Sequence, residues 1–190
     1  KTSASSSADC KPSFDYDPKT GICWQDTGKI TYDLKYDKNG NLISGLGLNY
    51  TYNEFNQLVK VNSLTGQLKE EYVYDHNGKR KKKVIYNPDG TDTKIYYVND
   101  DFIQIENSSG TFSETYYNLY DKLVGKKDTD GNILSFHPDH LGSTRLVTDA
   151  SGNTVADLSY EPFGEPIDDS DERFLFTGKE QDSTDIYYYG

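Results

Sequence analysis

Apolar and polar residues alternate along short stretches of this chain, with the period of a β-strand. Large apolar residues two positions apart lie on one face of a strand. Three such pairs are Tyr50 and Tyr52, Tyr72 and Tyr74, and Ile103 and Ile105. No long segment carries the 3.6-residue period of an amphipathic helix. The pattern therefore predicts an all-β fold.

Polar turns that end in glycine separate these stretches. The clearest copies are residues 36–42 (YDKNGNL) and 74–79 (YDHNGK). Further copies are residues 86–91, 107–111, 128–132 and 149–153, and a degenerate copy at residues 52–58 places Asn56 where glycine is expected. Asn-Gly and Asp-Gly between strand-like runs indicate β-hairpins, because glycine adopts positive φ without steric cost.

The spacing of the later turns predicts how the strands connect. Gly90, Gly110, Gly131 and Gly152 recur about every 20 residues. Such a unit holds one hairpin, with two strands and two turns. We therefore expect an antiparallel meander of these Tyr-Asp hairpins over residues 31–135.

The composition is low in apolar residues but rich in tyrosine. Hydrophobic residues make up 34% of the chain, and 17 of its 190 residues are Tyr. Each tyrosine can bury about 150–250 Å² and keep its hydroxyl group at a wet edge. The composition therefore predicts sheet faces built from aromatic side chains.

The net charge of −11 narrows the range of partners. Nucleic-acid binding depends on Lys and Arg that neutralise phosphates, so we expect no nucleic-acid partner. No apolar run approaches the ~20 residues of a membrane span, so we expect no membrane insertion. No phosphate-binding loop is present, and we expect no cofactor.

Residues 1–30 form a serine-rich leader that contains Cys10 and Cys23. Two cysteines this close together favour a disulfide, and two free buried thiols are the alternative. The chain has no methionine, so we interpret it as a processed product or a piece excised from a longer protein. We expect it in the extracellular space or at the cell surface. The leader is also a candidate for contact with a neighbouring subunit.

Residues 136–190 carry four motifs in a fixed order. They are residues 137–145 (HPDHLGSTR), 160–165 (YEPFGE), 174–180 (FLFTGKE) and 186–190 (IYYYG). The motif residues that we single out are His137, Asp139, His140, Leu141, Gly142, Ser143, Thr144, Gly164, Gly178, Lys179 and Glu180.

The YD turns and the four ordered motifs resemble the RHS repeat-associated core and the YD-repeat family. The resemblance covers residues 31–190. It implies a long β-sheet that coils into a spiral or hollow shell. In bacterial toxins and in teneurin-like cell-surface proteins of this family, such shells enclose or display a cargo.

Three groups of side chains are candidates for binding chemistry. His137, Asp139 and His140 are the densest set of potential metal ligands, and hydrogen bonding within a turn is the alternative. The acidic residues Asp168, Asp169, Asp171 and Glu172 are candidates for weak Ca²⁺ binding, and a solvated acidic loop is the alternative. Asn49 and Asn107 begin possible glycosylation sequons.

Residues 79–83 (KRKKK) form a basic strand with two interpretations. The charges either discourage edge-to-edge aggregation of the sheet or pair with acidic patches on another copy of the chain. Both interpretations place these side chains at the surface.

We expect a non-enzymatic structural protein that self-assembles through its sheet edges. An uncapped edge recruits further strands, and Tyr187, Tyr188 and Tyr189 are strand-like and aromatic. Head-to-tail joining of copies would give an extracellular filament or surface layer. The first alternative is a fragment of an RHS-type shell that encloses a toxin effector. The second is a carbohydrate-binding adhesive module that contacts glycans or cell surfaces.

Overall fold

The computed structural model describes residues 15–17, 22–24, 33–168 and 170–189. A first unit contains a short antiparallel pair of strands, β1 (Asp15–Asp17) and β2 (Ile22–Trp24). Only the backbone of these two strands is described. Cys10 and the side chain of Cys23 lie outside the described residues, so the disulfide stays a prediction. In the described part of the chain, no helix is long and apolar enough to cross a membrane.

The second unit is dominated by a sheet of 13 antiparallel strands. In chain order these strands are β3 Lys35–Tyr36, β4 Leu42–Gly45, β5 Leu48–Tyr52, β6 Leu58–Ser63, β7 Leu68–Tyr74, β8 Arg80–Tyr86, β9 Asp92–Tyr97, β10 Phe102–Asn107, β11 Gly110–Leu119, β12 Lys122–Lys127, β13 Ile133–Pro138, β14 Thr144–Thr148 and β15 Thr154–Asp157. Each strand pairs with the next, from β3 at one edge to β15 at the other. The predicted antiparallel meander is confirmed, and the sheet is open rather than closed.

The repeated turns share one hydrogen-bonding scheme, which explains the YD sequence. In the turn after β7, the carboxylate of Asp75 accepts hydrogen bonds from the backbone N–H groups of Asn77 and Lys79, at 2.9 and 3.0 Å. Gly78 adopts a φ of 86° there. Asp37, Asp128, Asp139 and Asp149 accept equivalent bonds in their own turns. In the degenerate copy, Asn56 takes the glycine position with a φ of 59°.

One face of the sheet holds the core, and we call it the covered face. Tyr72, Ile95 and Ile105 lie on it in register across β7, β9 and β10, with Lys83 of β8 in the same row. The buried apolar residues form two clusters. The first holds Ile95, Ile103, Tyr116, Leu123, Leu134, Phe136 and Val147, and the second holds Tyr50, Val61 and Tyr72.

The opposite face of the sheet carries mainly polar side chains. A row across β6 to β10 runs Lys60, Glu71, Val84, Lys94 and Glu106. Lys60 pairs with Glu71 at 2.8 Å, and Lys94 pairs with Glu106 at 3.2 Å. Cross-strand pairs of this kind stabilise a sheet modestly and keep its exposed face polar.

The chain leaves the sheet after β15, and its last residues return across the covered face. We call residues 170–189 the cover. The cover contains a 3₁₀ turn at Phe176–Gly178 and a small antiparallel pair, β16 (Glu180–Gln181) and β17 (Tyr187–Tyr188). The ring of Phe174 packs edge-on against Tyr116 of the sheet, with centroids 4.8 Å apart. The cover therefore completes the core that the sheet begins.

Replacing Ile95 by alanine tests the assignment of the covered face. Ile95 is fully buried, so Ile95→Ala should lower the free energy of unfolding by about 3 kcal/mol, through lost burial and a residual cavity. Ile133→Ala is the matched control, because Ile133 is exposed on the opposite face. Chemical denaturation measures both, and equal losses would contradict the assignment.

Candidate functional site

The turn between β13 and β14 carries the first of the four motifs and holds its shape through Asp139. The Asp139 carboxylate accepts hydrogen bonds from the backbone N–H groups of Leu141 (2.8 Å) and Ser143 (2.9 Å). Partial burial raises the pKa of Asp139, but these hydrogen bonds outweigh it and hold the pKa below its usual value. Lys122 donates to the carbonyl groups of Asp139 and His140, at 3.2 and 3.4 Å.

Ser143 and Thr144 join this turn to the cover. The hydroxyl of Ser143 accepts a hydrogen bond from the backbone N–H of Thr177 at 3.0 Å, and Ser143 is fully buried. Thr144 donates its backbone N–H to Leu175 at 3.0 Å and its hydroxyl to the carbonyl of Phe174 at 2.8 Å. These residues therefore hold the first and third motifs together.

Close approach at glycine connects the third motif with both the second and the first. A Cβ atom on Gly164 would overlap the ring of Phe176, and Gly164 has a φ of +94°. A Cβ on Gly178 would come within 3.2 Å of the carbonyl oxygen of Gly142. The hydroxyl of Tyr187 donates a hydrogen bond to the carbonyl of Gly164 at 2.9 Å, so the fourth motif contacts the second.

The terminal tyrosines were expected to lie at a free edge of the sheet. Instead, their side chains contact the chain's own sheet and cover. Tyr188 accepts a hydrogen bond from the backbone N–H of Arg80 at 3.1 Å and donates to the carbonyl of Gly78 at 3.3 Å. Tyr189 hydrogen-bonds the hydroxyl of Thr177 at 3.0 Å. Strand β17 pairs with β16 and is not an edge of the large sheet. That Tyr187, Tyr188 and Tyr189 take part in self-assembly stays a prediction.

The basic strand is not the solvated strand that its sequence indicates. Arg80 and Lys83 are buried on the covered face, with 5% and 1% of their surface exposed. A bulge between β7 and β8, where Val73 pairs with Lys82 and Tyr74 pairs with Arg80, brings both side chains to this face. Both surface interpretations are wrong for these two residues, because their partners are carboxylates of the same chain.

Arg80 and Lys83 bind two carboxylates of the cover. Arg80 makes a two-pronged contact with Asp182 at 2.7 and 3.0 Å. Lys83 lies 2.6 Å from a carboxylate oxygen of Glu180 and 2.7 Å from one of Asp182. The Arg80 guanidinium also lies between the rings of Tyr72 and Tyr188, 4.2 and 4.0 Å from their centroids. Each cation is thus paired, as burial requires.

Further polar groups surround Glu180 and extend the cluster. Tyr97 donates its hydroxyl to Glu180 at 2.7 Å, and Arg173 approaches the same carboxylate at 3.3 Å. Arg173 also reaches Glu114 of β11 at 3.4 Å. Burial, with the charge of Glu180 adding to it, raises the pKa of Tyr97 well above its usual value. The hydroxyl of Tyr97 therefore stays protonated and remains a donor.

Two buried carboxyl groups of the cluster have opposite pKa shifts. Burial raises the pKa of Glu180, but the charges of Lys83, Arg173 and Arg80 outweigh burial and lower it to about 2. Burial and the nearby charge of Asp182 raise the pKa of Glu70, despite hydrogen bonds from Ser183 and Tyr72. Compared with a solvated glutamate, the anion of Glu180 is therefore stabilised, whereas the anion of Glu70 is destabilised.

A second ion pair fastens the other part of the cover. Lys126 of β12 lies 2.6 Å from Glu172, and both side chains are 7% exposed. Glu172 is therefore not part of a solvated acidic loop. Asp168 accepts a hydrogen bond from the backbone N–H of Ser159 at 2.9 Å, and Asp169 lies outside the described residues. Weak Ca²⁺ binding at Asp168 and Asp171 stays a prediction.

The remaining sequence candidates lie apart from the cluster. His137 contacts the hydroxyl of Thr148 at 3.1 Å, and His140 and Leu141 are exposed at the turn. The described part of the chain holds no group of three or more side chains arranged to bind a metal ion. Asn49 is the second residue of β5 and Asn107 is the last residue of β10, and their glycosylation stays a prediction.

The ion-pair cluster makes the cover sensitive to acid. The lowered pKa of Glu180 stabilises the fold above the unfolded value near 4.5, and this contribution is lost as pH falls towards 2. We expect Glu180→Gln to cost about 3 kcal/mol at pH 7, because it leaves buried cations short of a partner. The same variant should flatten the loss of stability between pH 4.5 and pH 2, measured by urea unfolding.

Glu70→Gln is the matched control, since both glutamates are buried. The raised pKa of Glu70 favours its neutral form, so its contribution is present at low pH and is lost as pH rises through the folded-state pKa. Removing its charge should therefore cost little at pH 7. A loss as large as that of Glu180→Gln would refute this assignment of charge.

Gly164→Ala tests the close approach between the second and third motifs. We expect a loss of about 3 kcal/mol, because the new Cβ overlaps the Phe176 ring and the backbone has positive φ. Gly152→Ala is the control: its φ is also positive, at +83°, but no atom lies within 4 Å of the added Cβ. The control should show only the backbone cost of about 1 kcal/mol in thermal unfolding.

Comparison with known proteins identifies the fold. The family model described as Teneurin YD-shell matches residues 5–179. The tRNA3(Ser)-specific nuclease WapA of Bacillus spizizenii is 28% identical over 170 residues, which cover 82% of this chain and 7% of that protein. The tRNA nuclease WapA of Bacillus subtilis strain 168 matches with the same identity and coverage. The chain thus spans a small part of these relatives.

Solved structures share this fold. The Tc holotoxin pore of Photorhabdus luminescens aligns with a TM-score of 0.68 at 20% sequence identity, over 82% of this chain and 9% of that chain. A crystal structure of TcdB2-TccC3 aligns with a TM-score of 0.67 at the same identity and coverage. The open meander, the interlocked motifs and the match over residues 5–179 agree, and the chain belongs to the Teneurin YD-shell family of RHS and YD-repeat proteins.

Proposed function

We propose that this chain is a strip of the wall of an RHS-type shell that encloses an effector polypeptide. The observation that carries the proposal is the open sheet of 13 strands, fastened on one face by its own cover. A shell wall needs this combination, because a sheet that curves around a space must keep its layers in a fixed arrangement while its edges continue into further strands.

The two edges of the sheet support a wall rather than an isolated domain. Strand β3 has only two residues, and β15 has four; each pairs with one neighbour among the described strands. Val155 of β15 is exposed, and Asp157 at the end of this strand is its only charged residue. In a longer protein, these edges are where the sheet would continue.

The relatives favour the shell over the filament expected from the sequence. They are described as tRNA nucleases, and this chain matches only 7% of their length. A nuclease activity would then belong to a different part of such a protein, and the wall strip would be non-enzymatic. The buried charged side chains of this chain support a non-enzymatic role, because they bind one another and hold the cover on the sheet. We infer a location outside the cytoplasm, as for the surface proteins that the motifs resemble.

The test uses the full product of the gene that encodes this chain. Electron microscopy should show hollow particles with this strip in the wall, and an enclosed segment should resist added protease. Gly164→Ala should loosen the cover and shorten the protease half-life of the enclosed segment several-fold, whereas Gly152→Ala should change it little. Regular fibres with this strip as the repeating subunit, or an enclosed segment that is cut equally fast in all variants, would refute the proposal.

A further inference from the structure

A groove opens between the β5–β6 turn, the β7–β8 turn and the end of the cover, and we call it the tyrosine groove. Its volume is about 530 Å³, which lies within the ~300–1,000 Å³ range of ligand pockets. Six aromatic side chains line it: Tyr52, Phe55, Tyr74, Tyr187, Tyr188 and Tyr189. Ligand pockets are lined mainly by such side chains, with a few polar groups that fix the orientation of the ligand.

Two of these six rings remain largely exposed to solvent. Phe55 is 79% exposed at the tip of the β5–β6 turn, and Tyr189 is 58% exposed at the end of the cover. A single exposed ring is common on a protein surface, but these two line the same groove. An apolar occupant that covered both rings would remove their surface from water, which favours binding.

The tyrosine groove holds no unpaired charge. Among the described residues that line it, Arg80 alone is charged, and both terminal nitrogen atoms of its guanidinium bind Asp182, at 2.7 and 3.0 Å. Charged residues of both signs occupy the flanking turns but not the lining; they are Glu54, Asp75 and Lys79. A charged occupant would lose hydration in the groove without gaining a partner, so the groove favours an uncharged occupant.

Two amide side chains of the lining have their acceptor atoms occupied and their donor groups free. The Oε1 atom of Gln57 accepts a hydrogen bond from Asn53 at 2.7 Å, and the Oδ1 atom of Asn56 accepts one from Asn41 at 2.9 Å. In the described part of the chain, the NH₂ groups of these two amides have no acceptor. The Nε2 atom of Gln57 lies beside Gly78 in the facing turn, 3.2 Å from the position of an added Cβ.

Other polar groups of the lining add to this imbalance. The carbonyl of Leu58 already accepts a hydrogen bond from the hydroxyl of Tyr74 at 2.7 Å, and the carbonyl of Gly78 accepts one from Tyr188 at 3.3 Å. The side chain of Asn77 is exposed, and no described residue bonds to its donor or its acceptor. Free amide donors in the lining therefore outnumber free amide acceptors, which favours an occupant rich in acceptors.

A proline-rich segment has the chemistry that this lining selects. In the polyproline II conformation the backbone makes no internal hydrogen bonds, so its carbonyl groups remain free acceptors. Proline has no N–H group and carries an apolar ring, so it adds neither a donor nor a charge. Grooves lined by aromatic side chains bind such segments in other proteins. A sugar would also stack on the rings, but its hydroxyl groups need acceptors as well as donors.

We propose that the tyrosine groove binds an uncharged, proline-rich segment of a partner polypeptide in the polyproline II conformation. Proline rings of the segment pack on Phe55 and Tyr189. Carbonyl groups of the segment accept hydrogen bonds from the amide groups of Gln57 and Asn77. The groove is built from a single copy of this chain, so the inference does not rest on the proposed shell and is tested separately from it.

The experiment measures binding of fluorescent peptides to the full chain by fluorescence anisotropy. An oligoproline peptide should bind at least about tenfold more tightly than a glycine–serine peptide of equal length, because its preformed conformation loses less entropy on binding. A peptide that alternates proline and glutamate should also bind more weakly than oligoproline. Equal binding of either comparison peptide would overturn the proposal. Binding of a neutral cello-oligosaccharide without binding of oligoproline would overturn it too, and would assign the groove to sugars.

Two pairs of matched variants locate the site. Phe55→Ala should weaken oligoproline binding by about tenfold, whereas Phe163→Ala, which removes an exposed ring outside the groove, should not. Gln57→Glu replaces the free donor by an acceptor and should weaken binding by about tenfold. Gln104→Glu adds the same charge on the opposite face of the sheet and should leave binding unchanged. Melting temperatures check that all four variants are folded, and equal affinities within either pair would refute the assignment.

Discussion

The contact between Arg80 and Asp182, with Lys83 and Glu180 beside it, is the interaction on which the covered face depends. The cations come from a strand of the sheet and the anions come from the cover, so neither layer can bury its charges without the other. Breaking such a pair leaves an uncompensated charge in a dry environment, which costs far more than forming the pair gains. We therefore expect the cluster to act mainly on specificity, because another placement of the cover would leave buried charges without their partners.

The four motifs of residues 136–190 reinforce the same arrangement by different means. Ser143 and Thr144 supply hydrogen bonds across the layers, and Gly164 supplies the space that the Phe176 ring needs. The terminal tyrosines add packing contacts, since the ring of Tyr188 stacks on the guanidinium of Arg80. Hydrogen bonding, close packing and charge pairing thus act on one interface, so the four motifs share one structural role, which is to hold the cover on the sheet.

The sequence predicted the repetitive part of the fold well and the buried charges poorly. Alternation at Tyr72 and Tyr74 and the YD turns depend on neighbours a few residues apart, so the strands and turns could be found locally. Arg80 and Lys83 looked like surface residues because their partners lie 102 and 99 residues away at Asp182. The bulge that turns both side chains to one face also breaks the simple period of two. A signal existed in Glu70, which shares the face of Tyr72 and interrupts an apolar pattern with a charge.

The two kinds of contact in this chain impose an order on its folding. Each YD turn closes with partners two to four residues apart, and such local hairpins form on a microsecond timescale without waiting for the rest of the chain. The charge cluster, in contrast, requires loops of about a hundred residues to close, which is entropically slower. During synthesis the sheet would therefore grow strand by strand with Arg80 and Lys83 still hydrated. Docking of the cover on the sheet would be the final step, because it requires Tyr187, Tyr188 and Tyr189 to have left the ribosome.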